Sequence, residues 1–502
     1  MRQDAGRVAV WTAAIAAAVV LSVSAADVDR SGERPAIERH VNQADIDAGR
    51  VSLKELCRLG QTLFEARFNV LDGQGRPAST GDGLARTMAQ PAFIRTSGPD
   101  ANSCRACHFE PRSGGAGDFA SNVFVLAQIQ DPVVRTLDPS RSNERNSLGM
   151  NGAGPIEMLA REMSAELIAI RESAAKEASA TGQIARRKLE TKGVSFGEIA
   201  VYPSGRVDTR GIEGIDWDLI VKPFHQKGAV VSLRDFSNTA MNHHHGMQSA
   251  ERFGYGTDPD KDGVVEELTV GDVTALTVFQ AALNVPGRVL PRDPLRRRAA
   301  ERGEGLLEQV GCTACHRPSL VLDSPVFREP APYNPPKNLR PRDVSKPFAF
   351  DLTREGPLPR LERRADGRAV VRAFTDLKRH DLNDQDFSHF ANEKVHQGML
   401  AGLLPPAAYT EPDQVRPTRQ FLTRKLWDAG TSAPYGHRGD LTTLTDAIHF
   451  HGGEARQSRD AFFALSPDDR GAIIEFLKTL QVLPDGSRRV VMESRAINVS
   501  SR

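Results

Sequence analysis

A mainly α-helical chain, built as two modules with long loops and insertions, is what three features of the sequence predict. The pentapeptide Cys-x-x-Cys-His occurs twice, as CRACH at 104–108 and CTACH at 312–316, 208 residues apart. An apolar stripe at helical spacing, Leu306, Leu307 and Val310, runs up to the second copy, and such periodicity is the main mark of an amphipathic helix. Further on, SPDDRGAIIEFLKTLQ at 466–481 opens with Ser466 as N-cap, Pro467 at the first helical position and Asp469 in a capping box. It continues with Ile473, Ile474, Phe476, Leu477 and Leu480 on one face.

Taken in chain order, the elements fit this outline. Residues 1–26 combine a short basic start, an apolar run at 8–23 and small residues around Ala25 and Ala26. The run is shorter than the ~20 residues of a spanning helix, so we read a secretory leader, with an uncleaved anchor as the alternative. A polar stretch leads into a first module at 46–290, where GQTLFEARF at 60–68 is helical and Gly- and Pro-bearing loop precedes the first pentapeptide. Residues 160–200, rich in Ala, Glu, Arg and Lys, read as solvent-facing helix. A boundary near 290 (VPGRVLPRDP) opens a second module at 291–484. The seven prolines of 323–347 mark an ordered loop wrapping that second module. Residues 485–502 are a polar, loosely held tail.

Composition excludes several classes. Of 502 residues 39% are hydrophobic and 26% charged, with a formal net charge of +1. Cleaving the leader removes Arg2, Arg7 and Asp4, which leaves no net charge and no basic surface for nucleic acid or an anionic membrane. No segment of the mature chain is apolar over a bilayer-spanning length.

The pentapeptide itself admits three chemistries: zinc, a redox disulfide, or anchorage of a c-type haem. Zinc needs four ligands but has no use for a histidine behind each cysteine pair. A thioredoxin-like dithiol does not need that histidine either. In c-type attachment both sulfurs add to the haem vinyl groups and the histidine ligates the iron, so all three must reach one macrocycle. With 13 His in 502 residues, a chance His after both pairs occurs roughly once in 1,500. Cys104, Cys107 and His108, then Cys312, Cys315 and His316, are therefore read as two covalent haem c sites in two cytochrome c-like modules. The fifth cysteine, Cys57, lies in the helix-like VSLKELCRLGQTLF and reads as a small buried side chain.

Two such sites in an exported chain resemble the bacterial di-haem cytochrome c peroxidase superfamily. KLWDAGTSAPYGHRGDLTTLTDAIHFHGGEA (425–455) is similar to its APYxHDGxxxTLxEA element, with Arg438 where Asp is usual. With GPIEM (154–158), FTDLKRHDL (374–382) and AMNHHHGMQSAERFG (240–254), it most resembles the di-haem oxidoreductase branch, often labelled thiol-oxidoreductase-like. That label has no cysteine to rest on here beyond Cys57. The resemblance covers roughly residues 50–482.

It implies further site residues. The position fourteen after His437 supplies the second axial ligand of the C-terminal haem in that superfamily; here it is His451. Histidine opposite His316 makes a bis-His iron of lower potential than the usual His/Met pair, and His380 is the competing ligand. The N-terminal haem would be the reactive one, with Glu157 of GPIEM as general acid–base group. His243, His244 and His245 cannot all point one way on a helix, so at most two face a haem. Superfamily members bind calcium, and DPDKDGVVEEL (258–268) has the look of a calcium loop. Asp258, Asp260 and Asp262 are its first ligands; position 12 is Thr269, so Glu266 or Glu267 must stand in for the usual Glu. Trp217 or Trp427 could lie between the haems as an electron relay, although a core or interface position is the commoner use of an isolated Trp.

The function implied is that of a periplasmic di-haem oxidoreductase, peroxidase-like. A small redox protein or a quinol-linked donor or acceptor would be its partner, and hydrogen peroxide or O2 its oxidant. The alternatives are a di-haem oxidase or oxygenase acting on an organic or protein substrate, and a non-catalytic electron carrier.

Overall fold

A computed structural model describes residues 32–75, 101–118, 120–122, 144–383, 409–410 and 420–494; the leader at 1–26 lies outside them. Eleven α-helices lie among the described residues: α1 (Gln43–Asp47), α2 (Leu53–Glu65), α3 (Cys104–Cys107), α4 (Ala153–Thr181), α5 (Leu233–Ala240), α6 (Ala250–Phe253), α7 (Val270–Ala281), α8 (Pro294–Gln309), α9 (Leu444–His449), α10 (Arg456–Ala464) and α11 (Pro467–Thr479).

Two helix pairs build the frame, one beside each pentapeptide. In the first, α2 packs on α7 so closely that a Cβ on Gly60 would fall 2.0 Å from the Ala275 carbonyl oxygen. Every residue of helix α7 is buried, and its polar members Asp272, Thr274, Thr277 and Gln280 are all hydrogen-bonded. Thr269 and Asp272 cap it reciprocally. In the second pair α8 packs on α11, and a Cβ on Gly303 would fall 2.0 Å from the Ala472 oxygen. Here Ser466 and Pro467 start α11 as the sequence predicts, and Leu307, Val310, Ile473, Phe476, Leu477 and Leu480 form one buried cluster.

The expectation of a mainly α chain is corrected. The described residues are 37% helical and 16% strand, a mixed α/β composition. Part of the strand lies in 160–200, where a solvent-facing helix was expected throughout. Helix α4 stops at Gly182, which sits at φ 67°, and a hairpin follows. Its strands Ala185–Thr191 and Val194–Val201 pair antiparallel, with Ala185 opposite Val201 and Thr191 opposite Val194. Lys192 and Gly193 turn between them at φ 47° and 76°, the left-handed pair that a two-residue hairpin loop demands. Lys-Gly between two alternating runs was the available signal.

Two loop expectations change as well. The proline-rich segment is ordered, with Val326–Glu329 paired to Phe348–Asp351, but it packs on the first module. Arg161 donates to the Arg328 carbonyl, Arg234 binds Glu329, Ser232 binds Asn334 and Asn238 binds Asn338. These buried polar groups need partners, and the partners lie on α4, α5 and the start of α5. The described part of the tail, 485–494, is also tied down, since Val491–Glu493 adds to Gly287–Leu290, which pairs on its other side with Leu480–Gln481. Accordingly the larger core takes in residues from Ile37 to Val285 and also from Leu320 to Leu377, across position 290.

Candidate functional site

Ser103 sets up the first pentapeptide. Its hydroxyl accepts from the Arg105 amide and donates to the Phe64 carbonyl of α2 at 3.1 Å, which ties α3 to the frame. One helical turn puts Cys104 and Cys107 on the same side, and the His108 amide closes that turn on the Cys104 carbonyl at 3.1 Å. The His108 Nδ1 donates to the Leu148 carbonyl at 3.0 Å. That fixes the tautomer and turns Nε2 into a bare acceptor, as a metal-bound histidine requires. Burial, with a smaller effect from His244, pushes its pKa down to about 4, so the ring is neutral.

The histidine triplet borders this site. Residues Met241–His245 form a π turn at the end of α5, a distortion that often marks functional positions. Met241 Sδ lies 3.9 Å from Cys104 Sγ, and His245 Nε2 lies 3.6 Å from the same sulfur while Nδ1 bonds the Ala101 carbonyl. His244 is near enough for its charge to disfavour a charge on His108. The triplet thus splits, as neighbours on a helix must.

The second pentapeptide repeats the arrangement on different scaffolding. Gly311 at φ 83° leads into the turn Cys312–Ala314, and the His316 amide closes on the Cys312 carbonyl at 3.0 Å. The His316 Nδ1 donates to the Phe374 carbonyl at 3.1 Å, and burial pushes its pKa down to about 4. Opposite stands His451, just past α9, with Nδ1 donating to the Ala447 carbonyl at 2.7 Å and a pKa lowered by burial. The two ring centres are 6.5 Å apart. Two metal–imidazole bonds of about 2.0 Å on opposite sides of one ion, each with ~1.1 Å from nitrogen to ring centre, span ~6.2 Å. That spacing fits a single iron between them, and Cys104, Cys107, Cys312 and Cys315 are all free thiols.

His380, the competing ligand, is engaged at both ring nitrogens. Its Nε2 bonds Asp376 at 2.9 Å and its Nδ1 bonds Glu454 at 2.6 Å. Burial lowers its pKa, but hydrogen bonds to Asp376, Cys315 and Glu454 outweigh it and raise the pKa to about 11. A contact with Cys315 adds to that value; a thioether sulfur would not, but the carboxylates remain.

Between the two sites runs 424–428. Leu426 donates to the Ala373 carbonyl at 2.9 Å, next to the Phe374 carbonyl that holds His316. On its other side Trp427 lies against Gly152, where a Cβ would meet Cζ2 at 2.1 Å, and Asp428 lies against Gly149, beside the Leu148 carbonyl that holds His108. Trp427 is 2% exposed and its Nε1–H has no acceptor among the described residues. Lys425 pairs with Asp428 at 2.7 Å, and Arg424 lies 3.8 Å from the same carboxylate. Both cations are deep enough for burial to lower their pKa, Lys425 to about 8. A third of the Arg424 side chain (33%) is nevertheless open. Two buried cations sharing one carboxylate, beside an orphaned indole N–H, suit the propionates of a haem. Nothing in the sequence reading singled out Arg424 and Lys425; the basic pair before a tryptophan was the signal.

Glu157 is fully buried in α4. One oxygen accepts from Arg161 Nε at 3.0 Å and the other from the Leu233 amide at 2.9 Å. Trp217 is half-buried. Arg438, the departure from the family pattern, pairs with Asp440 at 2.9 Å. Cys57 is half-buried with its thiol pushed up to about 11 by burial, an inert thiol.

The acidic loop closes on itself. Oxygens of Asp258, Asp260 and Asp262 all lie within 4.8 Å of one another. Both Asp260 oxygens are buried without a partner. Glu267, 2% exposed, accepts from the Gln248 amide at 2.7 Å, and Glu266 turns away to accept from Gly256. Burial first, then the neighbouring carboxylates, push Asp260 up to about 7 and Glu267 to about 10.

Residues 381–480 match the family described as "Di-haem oxidoreductase, putative peroxidase". Among solved structures the chain is similar to the hydrazine synthase of Kuenenia stuttgartiensis pressurized with 20 bar xenon, at 17% identity over 60% of this chain and 77% of that one, with a TM-score of 0.28. It is also similar to a MauG-like protein associated with microbial copper homeostasis, at 16% identity over 64% and 88%, with a TM-score of 0.25. No curated protein matches it.

Proposed function

We propose, from the premise that residues 381–480 belong to the di-haem oxidoreductase family, that the chain is an exported, periplasmic di-haem c-type oxidoreductase with peroxidase-like activity. The observation that carries this reading is the facing pair His316 and His451, 6.5 Å apart at the ring centres with both Nδ1 protons already donated to carbonyls. When bound, the haems supply one-electron transfer at the C-terminal site and oxidant chemistry at the N-terminal one.

The chain's own residues do the rest. Cys104 and Cys107, then Cys312 and Cys315, hold the two groups. Leu148 and Phe374 present His108 and His316 with a free Nε2, and His451 closes the second face of the C-terminal site. Segment 424–428 runs between the stretches whose carbonyls hold His108 and His316, and Trp427 within it provides an aromatic bridge for electrons. Arg424, Lys425 and the Trp427 N–H hold the propionates. Glu157, steadied by Arg161, handles the proton on the His108 side. Replacing it by Gln is expected to slow the reaction with peroxide about a hundredfold; unchanged turnover with a lower Tm would reassign it to a buried ion pair. Asp258, Asp260, Asp262 and Glu267 hold Ca²⁺. Hydrogen peroxide or O2 is the oxidant, and a small redox protein or quinol-linked donor delivers electrons to the His316 side.

The deciding experiment is an electronic and EPR spectrum of the oxidised holoprotein before and after hydrogen peroxide. A low-spin bis-His signal beside a high-spin one that peroxide alters is the expected result. Two low-spin signals indifferent to peroxide, also after partial reduction, would overturn the peroxidase reading.

A further inference from the structure

The loop that carries His451 is held by a neighbouring segment at several points. The Gly452 amide donates to the Leu382 carbonyl at 2.9 Å and the Asp381 amide to Glu454 Oε1 at 2.8 Å. Gly453, at φ 53°, sits so close that a Cβ would lie 2.2 Å from the Asp381 carbonyl oxygen. His380 adds the charged contact: one nitrogen faces Glu454 of the His451 loop at 2.6 Å, the other faces Asp376 at 2.9 Å. Asp376 in turn lies two residues beyond Phe374, whose carbonyl holds His316. His380 is itself 8% exposed, its strand Arg379–Asp381 is paired to Gln420–Leu422, and its ring atoms, Asp376 and Cys315 Sγ all lie within 4.8 Å.

One segment, 374–382, therefore grips the histidines from both sides of the C-terminal site. We propose that His380 is a positioning residue, a cationic clamp between Asp376 and Glu454 that keeps His451 at ligand distance from His316. Charge-assisted hydrogen bonds are roughly twice as strong as neutral ones. Two of them converge on one buried ring, and they hold Glu454 by its second oxygen while the Asp381 amide holds the first. The clamp also accounts for a histidine that is close to the site yet engaged at both ring nitrogens.

The inference rests on reading His316 and His451 as the axial pair, and the test separates the two. Haem content, the low-spin EPR signal and the rate of cyanide uptake are measured on oxidised wild-type holoprotein and on the variants His451→Ala, His380→Gln and Glu454→Gln. Loss of the bis-His signal in His451→Ala supports the axial reading; its survival there overturns that reading and the clamp with it. With the axial reading intact, His380→Gln is expected to keep both haems but convert much of the C-terminal low-spin signal to high-spin, and to take up cyanide about tenfold faster or more. Glu454→Gln keeps an acceptor for the Asp381 amide and should move both readouts the same way, less far. Signal and cyanide rate equal to wild type in His380→Gln would overturn the clamp. Should that variant fail to assemble with its haems, Glu454→Gln decides on the same two readouts.

Discussion

His451 differs from the methionine usual at its position by one side chain, and the difference is chemical rather than spatial. A neutral imidazole that donates Nδ1–H to Ala447 would be a stronger ligand to ferric iron than a thioether, and on the proposed axial reading it would hold the potential of its site down. Replacing His451 by Met is expected to raise the midpoint potential of one haem and to remove the bis-His EPR signal, leaving the other haem's spectrum in place. Redox titration with EPR checks both at once; an unmoved potential would mean that the second ligand is another residue. Trp427 illustrates how a single atom carries information: its buried N–H has no acceptor among the described residues, and a buried donor left unpaired is costly.

Among the elements, the 258–267 loop makes the sharpest prediction. Asp260 is raised to about 7 and Glu267 to about 10, by burial and by each other's company. Unfolded carboxyls titrate near pH ~4, so above that the ion-free folded loop holds protons that the unfolded chain has released. Its contribution to stability therefore falls as pH rises from about 4 through 7. Calcium displaces those protons, so its affinity should rise with pH over the same range and protons should be released on binding. A chelator should lower the Tm more at pH 8 than at pH 5. Calorimetry in two buffers of different ionisation enthalpy measures the proton release; none at pH 6 would overturn the site. The helix pairs α2 with α7 and α8 with α11 make the complementary point, since each depends on a glycine that lets backbone touch backbone.

In the whole molecule, the packing ties the two pentapeptides together. Residues Leu320–Leu377 follow the second site in the chain but bury their apolar side chains in the larger core with Ile37–Val285. Glu329 is buried against Arg234, and Arg161 against the Arg328 carbonyl; removing one partner of a buried pair costs about 3–5 kcal/mol. A chain consisting of 291–484 alone is therefore expected to lose its cooperative thermal transition and its low-spin signal. Circular dichroism with haem spectroscopy checks this; a truncated chain that melts like the full protein would show the halves to be independent.

The two pentapeptides were legible because their pattern is contiguous: cysteine, cysteine and histidine within five residues fold into one turn in both copies. Helix starts at Ser466 and Pro467 were legible for the same local reason. His451 came from a family resemblance, and its distance from His316 came from packing, because nothing local relates residues so far apart in the chain. The strands beyond α4 were missed where alternation and a Lys-Gly turn competed with helix-favouring composition, and tertiary burial decided the outcome. The proline-rich segment looked attached to its sequence neighbours, yet buried polar side chains sought partners on α4 and α5. His380 reads as a competing ligand in the sequence, and folding brings two carboxylates, one from its own segment and one from the His451 loop, to its two nitrogens. Covalent and hydrogen-bonding chemistry within a few residues is written in the sequence. Which face each ring turns to, and what charge it carries there, follows from distant groups that only folding brings within 3 Å.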